Sequence, residues 1–248
     1  MTWSDIRTLG QVLIISTDAA ASRQICQIMQ EHALSAEVSI EFAAALNRLH
    51  CRKFEAVVVD LSLGEQANSM QQLLASTPNR TAVTFALTTR DSMASALRHG
   101  FRFVLERPID PESIRHTLRV AYGQIVRERR RYFRYPVVVP VVLSRKVSSE
   151  IYARSVNISE GGMALSSAAT LESQSEGQVE FTLPEPLLQV TAEFRVCWSN
   201  ERGDAGLSFI FLPFEVASEL QAWLAQKLEE QLPPAVAEKF RDSPGRER

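Results

Sequence analysis

Near Tyr135 the hydrophobic period of this chain changes, and no single layered domain accommodates both halves. From Gln11 to about Arg127, short apolar runs at Val12–Ile15, Ala36–Ile40, Ala56–Val59, Ala82–Leu87 and Phe101–Leu105 alternate with helical patterns. Segments such as Ala20–His32 and Asp91–His99 carry apolar residues at i, i+3, i+4 spacing, as helices covering a sheet face do. Parallel strands need helical crossovers, so five βα units predict a doubly wound, five-stranded parallel sheet. Asp91 and Asp110 stand as N-cap candidates, and Pro111 sits where a first helical turn tolerates a missing N–H.

After Tyr135 apolar and polar residues alternate. Pro136–Leu143, Ile151–Asn157, Met163–Ser167, Gln178–Leu183, Val190–Trp198 and Gly206–Phe211 read as six strands between Gly, Pro, Ser and Asn turn signals. They predict a six-stranded antiparallel β-barrel. An amphipathic helix follows over Glu215–Gln231, with Leu220, Trp223, Leu224 and Leu228 on one side. The fold class is thus α/β plus all-β, with domains over 10–127 and 128–231. The polar, Pro-containing stretch 232–248 is expected to be disordered.

With 45% hydrophobic residues among 248, the chain can bury two cores. A net charge of −2 supplies no global attraction to nucleic acid or membrane. The longest apolar runs have strand length, short of the roughly 20 residues a spanning helix needs. The opening Met1-Thr2-Trp3-Ser4-Asp5 lacks an export signal, so the expected location is cytoplasmic, with no membrane partner. Cys26, Cys51 and Cys197 are odd in number and lack CxxC spacing, as expected of reduced, partly buried thiols rather than disulfides or a metal site. None of the phosphate-loop, dinucleotide, zinc-protease or nucleophile-elbow motifs is present, and His32, His50, His99 and His116 all fall in helices of the first half. The expectation is a non-enzymatic chain without catalytic residues, metal or cofactor.

Charge does cluster locally. Residues 127–134 read RERRRYFR, five arginines against one glutamate. About 23 residues beyond Arg134, directly after an alternating strand, comes Asn157-Ile158-Ser159-Glu160-Gly161-Gly162. Arg130-x-x-x-Arg134 followed by Asn157-x-Ser159-x-x-Gly162 resembles the paired motifs of the PilZ family, and the texture continues through Val196-Cys197-Trp198 and Gly206-Leu207-Ser208-Phe209. The resemblance implies a cyclic di-GMP receptor. Arg130 and Arg134 would be the ligand arginines, on a flexible lead-in to the barrel, with Arg129 and Arg131 as helpers, and Asn157, Ser159 and Gly162 would form the second motif. Guanidinium suits such a ligand because it binds phosphate bidentately, stacks on its flat face and donates two bonds to guanine O6 and N7. Asn157 and Ser159 offer polar groups for a guanine edge, and Gly162 allows close backbone approach.

The first half resembles a response-regulator receiver, though a damaged one. Asp60 ends an apolar strand at the phosphoacceptor position, Thr88 matches the switch threonine, and Arg107 in Leu105-Glu106-Arg107-Pro108 stands where that family has a lysine. Receivers hold Mg²⁺ with an acidic pair after the first strand, whereas this chain has Ser16-Thr17-Asp18 there, so Asp18 alone offers a carboxylate. Arginine's planar fork does not replace a point-charge ammonium. The expectation is a pseudo-receiver that is not phosphorylated efficiently and serves for protein docking or self-association, so that messenger binding changes domain arrangement or partner docking in bacterial signalling. Two alternatives stay open: an adaptor whose barrel binds protein only, and a salt-sensitive nucleic-acid binder acting through the arginine cluster.

Overall fold

The computed structural model describes residues 8–145 and 148–241. Its first half runs β1 (Gly10–Ile15), α1 (Ala19–Glu31), β2 (Leu34–Ser39), α2 (Phe42–Cys51), β3 (Ala56–Asp60), α3 (Glu65–Asn68), α4 (Met70–Ala75), β4 (Val83–Thr89), α5 (Met93–Arg98), β5 (Phe103–Arg107) and α6 (Pro111–Tyr132). The strands are all parallel, in the order β2-β1-β3-β4-β5. Every residue of β1 and β3 is buried, as in a sheet covered on both faces. Alternate side chains define one face: Leu13, Ile15, Val57 and Val59 pack with Ala45 and Leu49 of α2, Met70 and Leu74 of α4, and Ala96 of α5. In this order the C-terminal ends of β1 and β3 meet at the topological switch point, where open α/β sheets place their sites.

The five-stranded, receiver-like sheet agrees with the sequence. Asp110 caps α6, its Oδ2 accepting from Ser113 N at 2.8 Å, with Pro111 the first helical residue. Asp91 does not cap α5: it lies inside a 3₁₀ turn over Arg90–Ser92, and Ser92 precedes the helix without a side-chain cap. Asp18 caps α1 instead, its Oδ1 accepting from Ala20 N and Ala21 N, each at 3.0 Å.

The second half comprises β6 (Tyr135–Pro136), β7 (Pro140–Arg145), β8 (Ser148–Ser159), β9 (Gly162–Ser167), β10 (Glu176–Leu183), β11 (Leu188–Ser199), β12 (Asp204–Phe211), α7 (Phe214–Gln231) and α8 (Pro234–Arg241). Antiparallel pairing runs β8-β7-β10-β11-β12-β9, and β8 with β9 closes the ring of six. The short β6 pairs with the far end of β8. The single strand expected over Pro136–Leu143 is divided in two. Pro136 and Pro140 have no N–H to give, and Ser155 of β8 fills the gap: its Oγ accepts from Val139 N (2.9 Å) and donates to Val137 O (2.6 Å). Leu220, Trp223, Leu224 and Leu228 form the buried side of α7, as the periodicity predicts.

The stretch expected to be disordered is helical over Pro234–Arg241, with Leu232 and Ala237 buried; a proline at the first helical position and the Ala-Val-Ala run that follows favour this. Residues 242–248 lie outside the described residues. All three cysteines are free, but Cys51 and Cys197 are exposed and only Cys26 is half-buried, because Cys51 ends its helix and Cys197 points out of the barrel wall. Two compact units result: the first takes the chain up to Arg129 and again from Gln231, the second is Arg130–Glu230. Among the described residues, no helix is long and apolar enough to cross a membrane.

Candidate functional site

The second motif occupies the β8–β9 hairpin. Ser159 pairs with Gly162 across the turn Glu160–Gly161, and the Ser159 hydroxyl donates to Gly162 O at 3.0 Å. Ser159 is buried, so its proton closes the hairpin. Gly162 also pairs with Ser208 of β12, and a Cβ at Gly162 would collide with the Leu207 carbonyl oxygen. Its glycine is therefore demanded by the neighbouring strand. Asn157 pairs with Pro136 on one side and Ala164 on the other, and its Oδ1 is buried without a hydrogen-bond partner. A buried acceptor left unpaired costs about 1–3 kcal/mol, so this atom gains most from an incoming donor.

The arginines reach this hairpin by two routes. Helix α6 continues through Tyr132, so Arg130 and Arg131 are in its last turn rather than in a flexible lead-in, with Phe133 N bonded to Arg130 O at 3.2 Å. Arginine is a good helix former, and cations oppose the dipole at a helix C-terminus. Strand β6 sets Tyr135 against Ile158 and Pro136 against Asn157, and the exposed Arg134 directly precedes it in the chain. Glu160 in the turn is a charged neighbour that motif matching passes over. Burial pushes its carboxyl pKa up, against a hydrogen bond from Gln221 and the charges of Arg131 and Arg130. Arg129 is 5% exposed, with Nη1 3.7 Å from Glu55 Oε1 in the first unit.

Strand registers add a residue that the sequence shows only as strand texture. Asn157, Ala164, Gly206 and Trp198 form one transverse row across β8, β9, β12 and β11. A Cβ at Gly206 would collide with Trp198 Nε1, so the indole, 49% exposed, lies over that glycine. An aromatic face and the unpaired amide oxygen thus share one row. The small residues between them were the available signal, but it becomes legible only once the strand register is known.

The switch point of the first unit holds a second cluster. Asp60, 1% exposed, accepts on Oδ2 from Ser16 Oγ (2.7 Å) and Arg107 Nη2 (2.7 Å), and on Oδ1 from Ser62 N (3.1 Å) and Ser62 Oγ (2.7 Å). A carboxylate has about four acceptor sites, and here all are taken. Arg107 Nη1 donates to Asp18 Oδ2 at 2.6 Å, so one guanidinium bridges both carboxylates. Thr88 lines the adjoining cleft of about 330 Å³ with Asp60 and Arg107. This donor set does not fit Mg²⁺: the Arg107 guanidinium already bridges the two acids and takes the carboxylate oxygens a metal would need.

Burial alone would push the Asp60 carboxyl pKa up, but hydrogen bonds from Ser16 and Ser62 and the Arg107 charge outweigh it and hold the group below its ordinary 3.8. Asp18 is lowered as well, first by its hydrogen bond from Arg107. A depressed pKa in the folded state contributes stability that is present above the unfolded value and lost as pH falls through the folded value. Acid unfolding of the first unit should therefore steepen below about pH 3.8. In urea melts across that range, Asp60→Asn should show a shallower pH dependence. A slope equal to the wild type's would refute the assignment.

A chain from Methylobacillus flagellatus described as a CheY-like response regulator receiver domain is 24% identical, with 46% of this chain and 98% of that one covered, at a TM-score of 0.41. A Burkholderia pseudomallei response regulator with a phosphorylated aspartic acid is 22% identical over 48% and 71% of the two chains, at 0.38. The Bacillus subtilis inhibitor of motility is 21% identical, covering 40% of this chain and only half of that one, at 0.34. No curated protein matches. The PilZ domain family matches residues 128–226, which contain the barrel, the arginine turn of α6 and the hairpin motif. Residues 128–226 of this chain are a PilZ domain.

Proposed function

We propose that the PilZ domain binds cyclic di-GMP through Arg130, Arg134, Asn157, Ser159 and Gly162, and that the chain acts as a non-enzymatic cytoplasmic effector in bacterial signalling. The observation that carries this is the buried, unpaired Oδ1 of Asn157 beside a hairpin flanked by Arg134. Guanine supplies the missing donors from its N1–H and N2 amino group, while Arg130 and Arg134 suit the phosphates and the Hoogsteen edge. Trp198, on the same row, offers a stacking face. Gly162 and the Ser159 hydroxyl shape the hairpin that presents Asn157, and Arg131 adds positive charge. Asp60 is proposed not to receive a phosphoryl group, since its acceptor sites are filled and Arg107 stands in the place of a metal. The first domain then serves docking or self-association, and ligand binding shifts the preferred domain arrangement.

Calorimetric titration of the full chain tests this. Wild type should bind, and Arg130→Ala and Arg134→Ala should each weaken binding by about tenfold or more, since a charge-assisted contact is worth about 1–3 kcal/mol. Absence of wild-type binding would reject the proposal and leave a protein-binding adaptor. Nucleic acid that micromolar cyclic di-GMP fails to displace would favour the arginine cluster as a polyanion site.

A further inference from the structure

The buried charges around the end of α6 have no part in the ligand site or the Asp60 cluster. Glu55, 1% exposed between the first-unit strands and α6, accepts from Gln11 N on Oε2 at 2.5 Å and lies 3.7 Å from Arg129 Nη1 through Oε1. One residue earlier, Glu128 Oε2 accepts from Thr81 Oγ1 at 2.7 Å and from Lys53 Nζ at 3.2 Å. Glu128 and Arg129 are both buried although both are ionisable, and both belong to a segment whose neighbours, Arg127 and Arg131, are exposed. Consecutive helical residues point about 100° apart. The sequence therefore turns two side chains into the first unit while the next, Arg130, begins the second.

We infer that Lys53, Glu55 and Thr81, acting on Glu128 and Arg129, form a mount that holds the last turn of α6 helical and so presents Arg130 to the ligand; these are positioning residues. The inference rests on the proposed cyclic di-GMP site. Helix ends fray unless tied down, and here like charges at Arg127 and Arg131, four residues apart, repel along one face. Holding the turn in advance spares the ligand the entropy of ordering it.

Hydrogen exchange and calorimetry on full-length variants test the mount. Glu128→Gln and Glu55→Gln should lower amide protection over residues 129–133 and weaken cyclic di-GMP binding by about five- to tenfold, since one or two residues must be reordered on binding. Exchanging the pair, Lys53→Glu with Glu128→Lys, should restore both. Glu55→Gln leaves Arg129 buried without its carboxylate and is the variant more prone to unfold, so the milder Glu128→Gln carries the decision. Protection and affinity within twofold of wild type in Glu128→Gln would overturn the mount. A wild-type chain that does not bind removes the proposed function itself, which is a different outcome from variants that bind like wild type.

Discussion

Arg107→Met is expected to cost the first domain about 3 kcal/mol, because removing one partner of a buried ion pair leaves an uncompensated charge. Asp60 is almost wholly buried, and Arg107 is its only cationic partner among the described ion pairs. Methionine keeps most of the side-chain volume, so lost packing is a minor part of the effect. The loss should shrink as the pH is lowered, since protonating Asp60 removes the charge that lacks a partner. Arg107→Lys should fall between, because one ammonium nitrogen does not span the two carboxylates as the fork's separate Nη1 and Nη2 do for Asp18 and Asp60. Urea unfolding at neutral and acidic pH measures this. An unchanged neutral-pH midpoint in Arg107→Met would mean that the bridge is ornamental. Acyl phosphate with Mg²⁺ should leave wild-type Asp60 unmodified; phosphorylation there would show that Arg107 swings aside.

Gly162→Ala should cost the barrel on the order of 3 kcal/mol, at the upper end of overpacking penalties. The added methyl meets the Leu207 carbonyl oxygen, which is backbone and cannot rotate away. Two strand pairings converge at this residue, β8–β9 and β9–β12, so the shift would loosen the ring where it closes. The outcome separates two roles for the glycine. A strong fall in stability, with ligand affinity falling only as far as unfolding requires, assigns Gly162 to the barrel. Wild-type stability with lost affinity would assign it to direct ligand approach.

Several features are legible in the sequence because they depend on local order along the chain. The switch of hydrophobic period near Tyr135 separates the two architectures, since a period of two and a period near 3.6 bury different faces. The order Arg130, Arg134, Asn157, Ser159, Gly162 is a linear pattern, and so is the Asp60, Thr88, Arg107 series at the ends of three strands. The buried side of α7 follows from spacing alone. Local propensity yields where it meets tertiary context: Pro136 and Pro140 divide a strand because Ser155 is there to fill the gap, and the tail beyond Gln231 forms α8 in spite of its polarity.

What only the tertiary structure decided is the direction each side chain takes. The sequence presents Arg129 and Arg131 alike as helpers to Arg130, yet the helical rotation buries Arg129 near Glu55 and leaves Arg131 exposed. It presents Asp18 as a lone carboxylate after the first strand, and folding sets it on the same guanidinium as Asp60, residues far apart in the chain. Trp198 joins the row of Asn157 through two intervening strands. Chain order determined the two folds and the motif residues, because patterning and short-range geometry are encoded locally. Pairings between distant residues depend on register and helix phase, which exist only once the sheets have closed.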